Sequence, residues 1–161
     1  MKKTNITLQK VNKDELYRYT GTPDDSVRGI IDKAEEELIN LVRPGYVWKI
    51  FDIVIDEAGV KLAGTEVILK GESIKKHLRG CDRIALLAST LTGEADRLIR
   101  KYQVCDMTKA VIMDSIASVA IEQICNMAEK DIKETIKDCY LTYRYVVGDG
   151  DVPLEHEKDI L

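Results

Sequence analysis

The fold is decided by the stretch AVIMDSIASVAIEQICNMA, residues 110–128, which is apolar on almost every side of a helix. A helix of this kind belongs in a protein core, because few of its faces suit water. Asp106 precedes the stretch as a good N-cap, and the chain becomes frankly polar beyond Ala128. The sequence therefore predicts one long central helix from near Asp106 to about Lys137.

A polar stripe interrupts this helix. Asp114, Ser118 and Glu122 recur at every fourth position, and Ser115 lies beside them, so two carboxylates and two hydroxyls share one side. Burying an ionised carboxylate without a partner costs on the order of several kcal/mol of folding free energy, because the charge loses its hydration. The carboxylates of the stripe must therefore contact water, a cation or hydrogen-bond donors. We favour a solvent-facing side or pairing with an arginine over a ligand role.

Strand patterns lie upstream of the long helix. Alternation with a period of two runs from Tyr46 to Ile55, and the turn residues 57–59 then predict a β-hairpin. The apolar residues 67–69 predict a further strand. The apolar run 84–88 predicts a central strand covered on both faces, and its exit loop, residues 89–93, is expected to form the wall of a ligand pocket.

Three further helices are predicted, and the last of them runs from Glu94 through about Tyr102. The first begins at residues 23–26 and ends at Pro44, and its outer face, Glu35 to Glu37, is expected to be solvated. The second is short and holds Ile74 to Leu78, with Ser73 as its N-cap. We expect an α+β protein with antiparallel strands and one long buried helix.

Composition limits the organisation and the function. At 161 residues with 45% apolar residues, the chain is expected to form a single domain, residues 1–161, with residues 1–22 as an N-terminal arm or edge strand. The net charge is -4 and the lysines are interspersed with acidic residues, so the sequence shows no basic stripe. This pattern disfavours nucleic-acid binding. The start lacks the apolar region of a signal peptide, and no apolar stretch approaches a membrane span, so we expect a soluble, cytoplasmic protein.

Cysteines and histidines give little support for a metal site. The cysteines are widely spaced and form no C-x-x-C pair, so reduced packing residues are favoured over structural zinc. His77 is interpreted as a surface or packing residue. The cysteines are Cys81, Cys105, Cys125 and Cys139.

The segment RYVVGDGDVPLEHEK, residues 144–158, is the best functional clue. It predicts a strand, a glycine-broken loop and a helix started by Pro153. Arg144 shortly before a Gly-x-Gly turn sets a cation beside backbone groups that no bulky side chain shields, which suits a carboxylate or nucleoside-like ligand. A divalent metal bound by residues 148–151 is a weaker interpretation, because that loop supplies too few oxygen ligands.

Four blocks together carry a family resemblance. They are ILKGESIKKHLRGC at 68–81, IALLASTLTGEADR at 84–97, AVIMDSIASVAIE at 110–122 and the terminal segment. In order and spacing they resemble single-domain relatives of the activation domain of vitamin B12-dependent methionine synthase, over residues 50–161. The resemblance implies an α+β fold in which helices pack on a bent antiparallel sheet.

The resemblance also implies a role in cofactor repair. The chain would bind S-adenosylmethionine and the corrinoid-binding domain of methionine synthase, which carries the cobalamin, while a flavodoxin- or ferredoxin-like donor supplies an electron. Methyl transfer to cobalt would then restore the cofactor. The chain would thus be an activation component of a cobalamin-dependent methyltransferase.

Site residues are carried over from the family motif position by position. Arg144 would pair with the methionyl carboxylate of S-adenosylmethionine, Gly148 and Gly150 would allow close backbone approach, and Asp138 would receive the amino group. Asp149 stands where the family has tyrosine, so an aromatic wall is replaced by a charge. The alternative is a corrinoid-protein binding module or chaperone that does not itself bind S-adenosylmethionine.

Overall fold

The computed structural model describes residues 2–21, 24–137 and 139–160, and the protein is α+β as predicted. In chain order the elements are β1 (Lys2–Asn5), α1 (Lys13–Thr20), α2 (Asp25–Leu41), β2 (Gly45–Asp56), β3 (Gly59–Leu62), β4 (Ile68–Leu69), α3 (Glu72–His77), β5 (Arg83–Thr90), α4 (Gly93–Cys105), α5 (Met107–Thr135) and α6 (His156–Ile160).

The strands form one antiparallel sheet in which β1, β2, β3 and β4 are neighbours in that order and β5 pairs with β2. The predicted hairpin is confirmed: Asp56 lies opposite Gly59, so two residues form the loop between β2 and β3. The Asp56 carboxylate accepts a hydrogen bond from Ala58 N at 2.8 Å and pairs with Lys61 at 2.6 Å. Side chains on both strands therefore stabilise the turn.

The described chain divides into two compact units. The first contains Lys2, residues 48–88 and residues 132–160. Its core comes from β3, β4, α3 and the C-terminal segment, and consists of Val60, Leu62, Leu69, Ile74, Leu78 and Val152. The expectation of a single domain over 1–161 remains a prediction.

The second unit contains residues 3–47 and 89–131, and its helices are α1, α2, α4 and most of α5. The core positions of α5 recur at helical spacing and are fully or almost fully buried; they include Met113, Ile116, Val119, Ala120 and Ile124. The same helix exposes Val111, so α5 buries one broad side and leaves another open.

Both long helices begin where the sequence predicts. Asp24 caps α2 by accepting hydrogen bonds from the backbone N–H groups of Ser26 and Val27, each at 3.0 Å. Asp106 does the same for α5, accepting from Lys109 N at 3.0 Å. Carboxylates at these positions satisfy backbone donors that have no partner within the helix.

The expectation of a fully solvated acidic face on α2 is wrong for two of its three glutamates. Glu35 is buried, accepts a hydrogen bond from Val11 N at 2.7 Å and pairs with Lys13 at 2.5 Å. Glu37 is half-buried and bonds to Tyr102 Oη and to Lys109 Nζ. Helical periodicity could not reveal this, because the partners come from other elements.

Burial raises the pKa of Glu37, and this is the largest single influence on it. The hydrogen bonds from Tyr102 and Lys109 outweigh burial, so the pKa of this carboxyl lies below its usual value. Glu37 therefore remains ionised and connects α2 with α4 and α5 inside the second unit.

Two other sequence expectations need correction. The predicted central strand is β5, but its interior side chains are half-buried rather than covered on both faces. The predicted N-terminal arm contains an unpredicted helix, α1, whose N-cap Asn12 accepts hydrogen bonds from Asp14 N and Glu15 N. Its short length gave too few apolar repeats to predict it.

By length and composition, α5 is the one described helix that could cross a membrane, with a mean hydropathy of 1.2 over its most apolar window. In that window 39% of the residues are buried, and one such helix is weak evidence for a membrane span, since core helices meet the same test. The cytoplasmic location remains a prediction.

Candidate functional site

The segment before the glycine turn is not the strand that the sequence predicts, because residues 139–147 form no strand in the described structure. Tyr145 and Val147 pack against the core of the first unit, whereas Tyr143, Arg144 and Val146 are exposed. Alternate side chains of this segment therefore pack on a core, but its backbone does not pair with a strand. An apolar pattern with a period of two arises in both cases, so the sequence cannot distinguish a strand from such an extended segment.

The turn at residues 147–151 is closed by its own groups. Asp149 N donates to Val146 O at 3.0 Å, and Asp149 Oδ2 accepts from Val146 N at 3.3 Å. Gly148 and Gly150 have φ values of 97° and 60°, which favour glycine. The carboxylate of Asp149 therefore already stabilises the turn in which it lies.

Asp151 caps α3. Its Oδ2 accepts a hydrogen bond from Glu72 N at 2.7 Å, and its Oδ1 accepts from Ser73 N at 3.0 Å and from the Ser73 hydroxyl. The expectation that Ser73 caps this helix is wrong, because the cap comes from 78 residues later in the chain. The bonds from the Ser73 hydroxyl, Ser73 N and Glu72 N lower the pKa of Asp151 to about 2.

The glycines of the turn are packed closely by their neighbours. A Cβ on Gly150 would lie 2.7 Å from Ser73 Oγ and 2.9 Å from Tyr145 Oη, and one on Gly148 would lie 2.6 Å from Leu154 Cδ2. Tyr145 Oη is itself 2.7 Å from Ser73 Oγ and 2.8 Å from Asp149 O. Close packing by these side chains is thus one reason why positions 148 and 150 need glycine.

The structure keeps the predicted cofactor residues on one exposed segment. Arg144, Gly148, Asp149 and Gly150 are all exposed. Asp138, the predicted partner of the ligand's amino group, lies outside the described residues. The two grooves described below are lined by none of these four exposed residues.

Both histidines are structural in this geometry. The His77 ring lies 4.4 Å from the Tyr143 ring and 5.1 Å from the Tyr145 ring, between centroids, as expected for a packing residue. His156 is buried, and its Nε2 accepts a hydrogen bond from Lys70 N at 3.0 Å. These contacts connect β4, α3 and the C-terminal segment within the first unit.

A groove of about 560 Å³ in the first unit lies along α3. Three of its lining residues are cationic, and no sequence pattern predicted a function for them. The lining residues are Ile55, Glu72, Lys75, Lys76, Arg79 and Gly80.

A second groove, of about 360 Å³, lies within the second unit. The loop after β5 lines it, as the sequence predicts, and there it meets Asp114 and Ser118 from the polar stripe of α5. Asp96 adds a carboxylate that the sequence analysis missed. Glu122 is exposed and does not line this groove. The stripe is solvent-facing, in agreement with the favoured interpretation.

The cysteines form no disulfide, and no group of three histidine, cysteine or acidic side chains among the described residues could hold a metal ion. Cys139 accepts a hydrogen bond from Arg83 Nη2 at 2.7 Å. Asp149 Oδ2 and both carboxylate oxygens of Asp151 already accept hydrogen bonds from the protein.

Comparisons with known proteins assign no family. A scan against protein-family models matches none of them, and a search of curated proteins finds no match. The features that point to a function are therefore the sequence blocks and the geometry of the C-terminal segment.

Proposed function

We propose that this chain is an accessory protein of a vitamin B12-dependent methionine synthase. It binds the corrinoid-bearing domain of that enzyme, together with S-adenosylmethionine, and supports reductive remethylation of cobalamin. The four sequence blocks support the proposal in their order and spacing. The α+β class with an antiparallel sheet agrees with the fold that the resemblance implies.

The observation that carries the proposal is the exposure of Arg144 on the same short segment as the Gly148 turn. A guanidinium is always charged and binds carboxylates in a two-bond geometry, so it suits the methionyl carboxylate. The exposed backbone of Gly148 leaves room for a ligand on its solvent side.

The surroundings of Arg144 suit a protein partner as well. The segment exposes large apolar side chains that its own unit does not cover: Tyr140, Tyr143, Val146 and Leu154. Aromatic residues and arginine are enriched in protein interfaces, where they contribute much of the binding energy. We expect the corrinoid-bearing domain to cover this surface.

The proposed reaction does not need a general acid or base from the protein. An external donor would supply one electron to the partner's cobalamin, and S-adenosylmethionine would supply the methyl group that the reduced cobalamin takes up, with S-adenosylhomocysteine as the leaving group. The chain contributes binding and orientation of the methyl donor.

Calorimetric titration with S-adenosylmethionine tests the proposal. The wild type should bind one equivalent, and Arg144→Ala should bind at least about tenfold more weakly, since a hydrogen-bonded charge pair contributes about 1.5–3 kcal/mol. Arg18→Ala is the matched control, because its side chain is 76% exposed on α1. Equal affinity of the Arg144 and Arg18 variants would contradict the assignment of Arg144.

A second function is favoured by one observation, which is that the carboxylates of Asp149 and Asp151 already serve the turn and α3. The chain would then bind or protect a corrinoid protein without holding the methyl donor. No heat with S-adenosylmethionine, together with capture of a purified corrinoid domain that Tyr143→Ala abolishes, would select this version. Failure of both assays would reject the methionine synthase assignment.

A further inference from the structure

We propose that the groove along α3, lined by Ile55, Glu72, Lys75, Lys76, Arg79 and Gly80, binds a small molecule that carries a phosphate monoester on an apolar body. None of these residues belongs to the Arg144 segment, so the inference goes beyond the proposed function.

Charge is the first support. The groove contains three cationic side chains and one carboxylate, which leaves two positive charges in excess, although the whole chain carries a net charge of -4. Lys75 pairs with Glu72, and its side chain is only 18% exposed. The side chains of Lys76 and Arg79 form no hydrogen bond or ion pair with any described residue.

Unpaired cations also occur elsewhere among the described residues, for example Lys33, Arg100 and Lys130, so the lack of a partner does not by itself indicate a ligand. Cations at the C-terminal end of α3 also suit the helix dipole, but the dipole does not require a hollow beside them. The combination of a cavity and unpaired cations around it is what indicates a ligand.

Size and charge together select the ligand class. A phosphate monoester carries about -1.5 to -2 charges at neutral pH, which matches the positive excess of the groove. The groove volume of about 560 Å³ falls in the range of small-molecule sites, on the order of 300–1,000 Å³. The side chain of Ile55, which is 38% exposed, offers an apolar contact for the body of the ligand.

The ligand class differs from the methyl donor of the proposed function. S-adenosylmethionine carries a sulfonium and an amino group, so its net charge is positive and the α3 groove would repel it. The two sites should therefore bind different molecules, and each can fail without the other.

The test is a two-dimensional NMR titration of the ¹⁵N-labelled chain with adenosine monophosphate, inorganic phosphate and adenosine. We expect adenosine monophosphate to shift amide signals of residues 72–81 in a saturable way, and to bind at least about tenfold more tightly than inorganic phosphate or adenosine alone. The double variant Lys76→Glu, Arg79→Glu should lose at least about tenfold in affinity, because it reverses two exposed charges.

The control is Arg100→Glu, Lys130→Glu, which makes the same change in net charge at two exposed positions of the second unit. Both double variants should keep dispersed spectra. The proposal is overturned if adenosine monophosphate binds no more tightly than phosphate, if both double variants weaken it equally, or if the shifts centre on Arg144 and Gly148.

Discussion

The carboxylate of Asp151 accepts hydrogen bonds from both the backbone N–H and the hydroxyl of Ser73, a residue 78 positions earlier in the chain. The same carboxylate accepts from Glu72 N, so the first turn of α3 is capped by the C-terminal segment. Tyr145 extends this network, because its hydroxyl lies 2.7 Å from Ser73 Oγ. The glycine-rich turn of the candidate site is thereby held against α3.

Asp151→Ala should lower the melting temperature and speed amide hydrogen exchange in α3, since two backbone N–H groups at the helix start lose their acceptor. Asp151→Asn keeps one acceptor oxygen and should lie between the alanine variant and the wild type. Exchange in α4, which belongs to the other unit, serves as the internal reference. Unchanged exchange at Ser73 in the alanine variant would contradict the capping role.

The contribution of Asp151 should depend on pH in a defined direction. Its pKa is about 2 in the folded chain and 3.8 ordinarily, so the ionised carboxylate stabilises the fold fully above pH 3.8. That contribution is lost as the pH falls from 3.8 towards about 2. Urea unfolding of the wild type and Asp151→Asn should therefore differ by a constant amount near neutrality, and by less in acid.

Gly150→Ala should destabilise the chain more than Gly64→Ala. Both glycines have positive φ, 60° and 77°, so each substitution incurs about 1–2 kcal/mol of backbone strain. A Cβ at Gly64 meets nothing within 4 Å, whereas at Gly150 it meets Ser73 and Tyr145 below 3.0 Å. The additional overpacking should cost roughly 1–3 kcal/mol, measured by urea unfolding. Equal losses would mean that the turn moves freely away from α3.

Glu35→Ala should destabilise the chain by about 1–3 kcal/mol, because the backbone N–H of Val11 loses a buried acceptor. Glu36→Ala removes an exposed neighbour and should change the free energy of unfolding by less than about 0.5 kcal/mol. Thermal and urea unfolding of both variants would measure the difference. A loss at Glu36 as large as that at Glu35 would show that overall charge, not burial, decides the effect.

Much of the fold could be predicted from local patterns. The period of α5 and the carboxylates at Asp24 and Asp106 predicted the long helices and their starts, because capping is a local interaction. The turn at residues 57–59 predicted the hairpin for the same reason. The alternation of buried and exposed side chains before Gly148 led to a wrong prediction of a strand. Side-chain burial has the same period of two whether or not the backbone joins a sheet.

The candidate site was predicted only in part. Arg144 and the Gly148 turn were recognised from their spacing, but the cationic groove along α3 was not, because Lys75, Lys76 and Arg79 look like an ordinary exposed helix face in sequence. The groove of the second unit needed residues 89–93 and Asp114 to meet, which depends on packing between distant segments.

The sequence alone determined which stretches become helices and hairpins, because periodicity, caps and turns act over only a few residues. Tertiary structure alone decided which polar side chains face partners: Glu35 meets Val11, Asp151 meets Ser73, and His156 meets Lys70. A hydrogen bond depends on the distance between two atoms in space. Residues 24 to 86 positions apart in the chain reach that distance only after the surrounding core has packed.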